Sequence, residues 1–241
     1  MENYKICDKH GKYQTQTFNF MGRIIESACP FCIDEKEREA QKHLQKSAED
    51  FCEEKIKRGI EPEFFEASLD NYIPENDTER QALQAAKDLD EGKIKKVVLL
   101  GQNGTGKTHL AAALANKYDG VIITMFELGA QIRAGYNNGQ SEIDILNKIL
   151  SKQFFAIDEI GRTKGSDAEK NWMSYLLDKA HTRGVKFMLI SNRAKARNLP
   201  ADRKGEAFEY YFDNDILSRI QQDSVIVEVR GRDRRGSKRT R

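Results

Sequence analysis

The eight residues Gly101-Gln102-Asn103-Gly104-Thr105-Gly106-Lys107-Thr108 constrain this chain more than any others. Their spacing, G-x-x-x-x-G-K-[ST], is that of a phosphate-binding loop. The apolar run Lys96-Val97-Val98-Leu99-Leu100 before the loop reads as a buried strand, and His109-Leu110-Ala111-Ala112-Ala113-Leu114-Ala115 after it reads as a helix. Glycines let the backbone curl around phosphate oxygens with no Cβ in the way, and the N–H groups of the loop and helix start then face the anion. In that geometry Lys107 reaches the β- and γ-phosphates, Thr108 ligates Mg²⁺, and His109 follows as a further nucleotide contact. The ligand these residues fit is a nucleoside triphosphate.

A second signal lies about fifty residues on. Phe154-Phe155-Ala156-Ile157-Asp158-Glu159 is a buried strand that ends in two carboxylates. In open α/β sheets that edge is where ligands sit. Asp158 then holds Mg²⁺ through water, and Glu159 polarises the attacking water. The bland alternative is that both acids cap the next helix; the preceding phosphate loop favours the catalytic reading. Leu189-Ile190-Ser191-Asn192 ends the next strand, and Asn192 sits where a side chain can sense the γ-phosphate. Arg219, in Asp215-Ile216-Leu217-Ser218-Arg219-Ile220, has two readings. It pairs with a surface carboxylate, or it reaches the nucleotide of a neighbouring subunit as an arginine finger.

Three of the four cysteines cluster with one histidine, as Cys7-x-x-His10 and Cys29-Pro30-Phe31-Cys32, separated by 18 residues. Paired soft ligands at this spacing close a tetrahedral Zn²⁺ site. Four protein ligands leave no open position, so such a zinc is structural. Cys52 falls in a charged helical stretch and reads as a half-buried thiol.

The chain has 241 residues, of which 39% are hydrophobic and 32% charged. That suits one α/β domain with a small accessory unit. Nothing approaches the roughly 18 consecutive apolar residues of a membrane span, and no apolar leader follows Met1, so no membrane partner and a cytoplasmic location are expected. The formal charge is only +2, but Arg230 to Arg241 carries seven cations against one Asp, leaving the remainder at −4. A basic tail suits a phosphate backbone, and equally a solvated terminus.

The pattern divides into a zinc module (1–34), a helical linker (35–75) and an ATPase domain (76–241). Tyr13 to Ile25 suits a small hairpin, Ile33 to Arg58 a long exposed helix that Gly59 breaks, and Thr78 to Glu91 another helix. From Lys96, strands Val97–Leu100, Val121–Met125, Phe154–Ile157, Phe187–Ile190 and Val225–Val229 alternate with helices, one of them around Ala168 to Arg183. The expected class is α/β, a mostly parallel sheet covered on both faces.

Phosphate loop, Asp-Glu strand, Ser-Asn strand and Leu-Ser-Arg helix follow the order used by AAA+ ATPases. The chain more closely resembles DnaC-like replicative helicase loaders. The stretches that carry the resemblance are Cys-Asp-Lys-His-Gly-Lys-Tyr, Cys-Pro-Phe-Cys, Gly-Gln-Asn-Gly-Thr-Gly-Lys-Thr-His-Leu, Ile-Asp-Glu-Ile-Gly, Leu-Ile-Ser-Asn and Asp-Ile-Leu-Ser-Arg. The resemblance implies an ATPase that grips a hexameric DnaB-type helicase through its N-terminal region. It further implies binding of single-stranded DNA, self-association around the helicase, and hydrolysis that promotes release. Arg219 matches the finger that acts in trans, and Arg235, beside Arg232 and Arg234, the arginine that acts in cis. Few residues follow Val229, which resembles the loaders' short lid and implies weak ATPase activity in a monomer. Loaders face single strands with a helical insertion between the second and third strands. In this sequence Arg133 and Tyr136 lie there, and a cation beside an aromatic ring is the usual chemistry for unpaired bases.

Three rival readings share the phosphate loop. An IstB-like ATPase that assists DNA transposition shares all the core motifs, and the zinc module favours the loader over it. A small-molecule kinase sits poorly with adjacent Asp158-Glu159 and a finger-like Arg219. A non-hydrolysing adaptor would be indifferent to Glu159→Gln.

Overall fold

The computed structural model describes residues 3–20, 23–162 and 165–234. The chain divides into two units, Met1–Glu54 and Lys55–Arg241.

In the first unit β1 (Tyr4–Cys7) pairs antiparallel with β2 (Gly11–Gln14), and β3 (Thr17–Phe20) with β4 (Arg23–Glu26). The sequence suggested one hairpin between Tyr13 and Ile25. There are two, and the earlier one holds Cys7 and His10 around its turn. Its side chains are mostly exposed, so no apolar alternation announces it. The turn closes at Gly11, whose φ of +77° is the left-handed region that glycine enters freely. Helix α1 (Pro30–Lys57) starts three residues before the expected Ile33. Proline suits the first turn of a helix, where its missing N–H has no intrahelical partner to lose. The cysteine motif thereby becomes the start of the helix, with Cys32 in its first turn. Most of α1 is exposed, as its sparse apolar positions require.

The second unit is built on five parallel strands. They are β5 (Lys96–Leu100), β6 (Val121–Thr124), β7 (Phe154–Asp158), β8 (Lys186–Ser191) and β9 (Ser224–Glu228), in spatial order β6-β7-β8-β5-β9. Every residue of β5 and β7 is buried, as continuous apolar runs in a doubly covered sheet demand. Val97 and Leu99 face α2 (Asp77–Asp90) and α3 (Lys107–Lys117). Val98 and Leu100 face α4 (Met125–Asn137), α5 (Glu142–Leu150), α6 (Asp167–Arg183) and α7 (Asn214–Gln221). Each such fully buried aliphatic side chain contributes roughly 1.5–3 kcal/mol.

Local signals set the boundaries. The strand expected over Val121–Met125 stops at Thr124, because Thr124 caps α4 in a reciprocal capping box with Glu127. One helix was expected between β6 and β7; there are two. The chain breaks at Gly139, φ +69°, and restarts under the capping box of Ser141 and Asp144. Between β8 and α7 run three short 3-10 turns whose Phe208 and Tyr211 enter the core, a segment with no periodic signature. Among the described residues no helix is long and apolar enough to cross a membrane.

Candidate functional site

The phosphate loop joins the end of β5 to the start of α3, and the fold packs tightly behind it. Gly101 has φ +124°, and a Cβ there would collide with the Val229 carbonyl oxygen. Gly106 has φ +82° and opens α3 in the left-handed region. The Gly101 N–H donates to the Ser191 carbonyl at 3.1 Å, tying loop to β8. Lys107 is 5% exposed. Its Nζ donates to the carbonyls of Gly101 at 2.7 Å and Gln102 at 2.6 Å, which aims the ammonium along the inside of the loop. Thr105 is fully buried and donates to the Gln102 carbonyl at 3.0 Å.

Across the loop, Thr108 Oγ1 donates to Asp158 Oδ2 at 2.8 Å. The other oxygen of Asp158 accepts the Glu159 N–H at 2.6 Å. Asp158 ends β7 and is 8% exposed. Burial raises its pKa, and the bonds from Glu159 and Thr108, with the nearby Lys107 charge, pull the other way. A cation against Asp158 and Thr108 would relieve that burial. Glu159 has φ +54°, a strained conformation for a residue with a side chain, which turns it out of the strand. Its Oε2 accepts from Arg162 Nη1 at 2.6 Å.

These groups share a cavity of about 470 Å³. Lys107, Thr108, Asp158, Glu159, Asn192 and Arg234 are among its polar lining residues. Phe64, Tyr72, Ile73 and His109 also line it. The His109 ring lies 5.4 Å from that of Tyr72, and its Nε2 is 3.0 Å from Asn71 Oδ1. Asn103, Gly104 and Gly106 complete the loop side. The structure thus brings the loop, both carboxylates and Asn192 together.

Arg219 stands elsewhere. From α7 its Nη1 meets Ser174 Oγ at 2.9 Å and Asp178 Oδ2 at 2.7 Å, both on α6. Arg133 and Tyr136 are exposed on α4, away from the cavity lining. The Tyr136 hydroxyl donates to Glu142, whose second oxygen accepts Trp172 Nε1 at 2.9 Å. Arg235 lies outside the described residues.

Sequence reasoning missed the start of the basic tail as a structural strap. Arg232 forks onto Glu75 with two bonds of 3.0 Å. Arg234 pairs with Glu79, lies 5.2 Å from the Tyr72 ring centroid, and donates its N–H to the Gly104 carbonyl at 3.1 Å. Two of the tail's cations are therefore matched to acids on and before α2. Glu75 lies just before the Asn76 cap of α2 and Glu79 in its first turn.

In the first unit, the ligand atoms of Cys7, His10, Cys29 and Cys32 lie within 4.8 Å of one another. His10 Nδ1 is 3.7, 3.7 and 3.3 Å from the sulfurs of Cys7, Cys29 and Cys32, and the Cys7 and Cys32 sulfurs are 3.5 Å apart. Zinc bonds of about 2.3 Å to sulfur and 2.0–2.1 Å to nitrogen, at tetrahedral angles, put donor atoms about 3.6–3.8 Å apart. The four groups fit a tetrahedral zinc.

Residues 71–241 match the family model described as IstB-like ATP binding protein. YdaV of Escherichia coli K12, an uncharacterized protein, is 29% identical over 155 residues, 60% of this chain and 62% of YdaV. The replicative helicase loader DnaC of the same organism is 32% identical over 156 residues, 60% of this chain and 64% of DnaC. The matches thus span less than two thirds of these relatives. A crystal structure of the DnaC helicase loader superposes with a TM-score of 0.54 at 19% identity, covering 70% of this chain and all of that one (100%). That likeness shows a shared fold, the parallel five-stranded sheet flanked by helices.

Proposed function

Since this chain belongs to the IstB-like ATP-binding protein family, we propose that it is an ATP-dependent loader that sets a DnaB-type replicative helicase on single-stranded DNA. One observation carries the reading: loop, Asp158-Glu159 and Asn192 converge on one cavity in a chain 32% identical to a DnaC loader. ATP binding and hydrolysis switch assembly and release. Loop N–H groups from Gly101 to Thr108 hold the phosphates, and Lys107 exchanges its carbonyl partners for phosphate oxygens. Thr108 and Asp158 hold Mg²⁺, which when bound neutralises charge developing on the phosphates. Glu159 leaves Arg162 and orients the water, Asn192 contacts the γ-phosphate, and Arg235, or Arg234 beside it, acts in cis. Arg219, held on the outer side of α6, is offered to a neighbouring copy. Residues 1–34 hold zinc and grip the helicase, 35–75 link, and 76–241 bind ATP; Arg133 and Tyr136 contact single strands. Zinc, when bound, supplies only a cross-link between hairpin and helix.

Size-exclusion chromatography of the chain with a replicative helicase hexamer, with and without ATP and single-stranded DNA, tests this. Co-elution that depends on nucleotide is expected. Separate elution under every condition overturns the helicase assignment. A second reading, assistance to DNA transposition, draws on the family model itself; co-elution with a transposase in place of the helicase would favour it.

A further inference from the structure

The turn of the β1–β2 hairpin supplies Cys7 and His10, and Cys29 and Cys32 flank the start of α1. One helical turn beyond Cys32, on the same face, stands Glu35. Its Oε1 lies 3.2 Å from His10 Nε2, the ring nitrogen opposite the one that faces the sulfurs. Its Oε2 meets Lys9 Nζ at 2.5 Å. The His10 ring also lies against Phe31 of the same helix, 5.7 Å between centroids.

An imidazole that ligates a metal through Nδ1 carries its one proton on Nε2. A carboxylate accepting that proton fixes both the tautomer and the ring plane, and makes the ligating nitrogen more basic. We propose that Glu35 is the positioning residue of the zinc centre, holding His10 in its Nδ1-ligating form; this rests on the zinc reading of Cys7, His10, Cys29 and Cys32. The helix that carries the Cys32 sulfur, and follows directly on Cys29, thereby also sets the angle of the nitrogen. Lys9 plays a different part. Lys9 and Glu35 are 65% and 37% exposed, and an ion pair that open to water contributes little by itself. The effect of Glu35 therefore runs through His10, and Lys9 is dispensable for it.

The test is Zn²⁺ affinity of the full chain by competition with a chromophoric chelator, and the visible spectrum after Co²⁺ substitution. Glu35→Met keeps the stem and the helix propensity but removes the acceptor. It is expected to weaken Zn²⁺ binding about 10–100-fold at unchanged one-to-one stoichiometry, with the Co²⁺ spectrum still tetrahedral when saturated. Glu35→Gln, whose carbonyl still accepts from Nε2, should stay within a few-fold of wild type, and Lys9→Met likewise. Affinity of Glu35→Met equal to wild type, or a Lys9→Met loss as large as that of Glu35→Met, overturns the positioning role while the zinc reading stands. A wild-type chain that takes up no stoichiometric Zn²⁺ overturns both. If Glu35→Met lacks the wild-type helix signal in circular dichroism, the Gln and Lys9 variants decide the matter. A Glu35→Gln loss above tenfold then counts against a simple acceptor role.

Discussion

Replacing Arg234 by Met removes a cation from the cavity wall and from the strap that backs the phosphate loop. The Glu79 side chain it meets is 1% exposed, and Arg234 itself 26%. Taking away one partner of a buried pair costs about 3–5 kcal/mol, because the other charge stays behind. Two features lower that figure here. Arg234 is already partly solvated, and Glu79 Oε2 keeps the N–H of Glu75 at 2.7 Å. Loss of the stacking on Tyr72 adds about 0.5–1 kcal/mol. The net expectation is about 2–4 kcal/mol, a fall in Tm of roughly 5–15 °C for a unit of this size. Thermal unfolding of the full chain without nucleotide, followed by circular dichroism, reads it. Adding Glu79→Gln to Arg234→Met removes the stranded charge and should recover most of the loss. Nucleotide affinity should not recover, since the cation lining the cavity is still missing; about tenfold weaker binding corresponds to about 1.4 kcal/mol. A Tm within 2 °C of wild type (roughly 0.5–1 kcal/mol) for Arg234→Met refutes the reasoning, as does a double variant no more stable than the single.

Gly101→Ala is expected to cost about 2–6 kcal/mol, from backbone strain plus the collision with Val229, whereas Gly92→Ala, with φ +76° and open space around its Cβ, should cost about 1–2 kcal/mol; equal losses in urea denaturation contradict this account of the loop. Burial raises the Asp158 pKa, so the fold favours the protonated acid, and the resulting penalty is complete above that raised value and fades as pH falls from it to the ordinary carboxylate range. Asp158→Asn should therefore raise Tm at neutral pH, with a gain that shrinks as pH falls through the raised pKa toward the ordinary carboxylate range; a gain that stays constant into acid contradicts the burial argument.

What the sequence made legible depended on how local each signal was. The β5–loop–α3 unit could be read because apolar run, glycine spacing and helix are contiguous, from Lys96 to Lys117, each enforcing the next. Asp158 and Glu159 followed from a buried strand that ends in charge. The Arg234–Glu79 pair was invisible because its partners are 155 residues apart, and a tally of tail charges cannot distinguish a cation bound to an internal acid from one offered to DNA. The break between α4 and α5 hangs on one glycine and a capping box, a signal weaker than the surrounding helical pattern. The Cys7, His10, Cys29 and Cys32 cluster could be read from spacing. Glu35 could not, because one carboxylate among the many of α1 gains meaning only when the hairpin folds against the helix.

The central claim is that the Gly101–Thr108 loop times the hold and release of a helicase. Retention of helicase on a single-stranded DNA circle, measured after adding wild-type chain, Lys107→Ala or Glu159→Gln with ATP, tests it most directly. Loading followed by release of the chain is expected for wild type, no loading for Lys107→Ala, and loading without release for Glu159→Gln. Equal retention with all three, or with none, would contradict it.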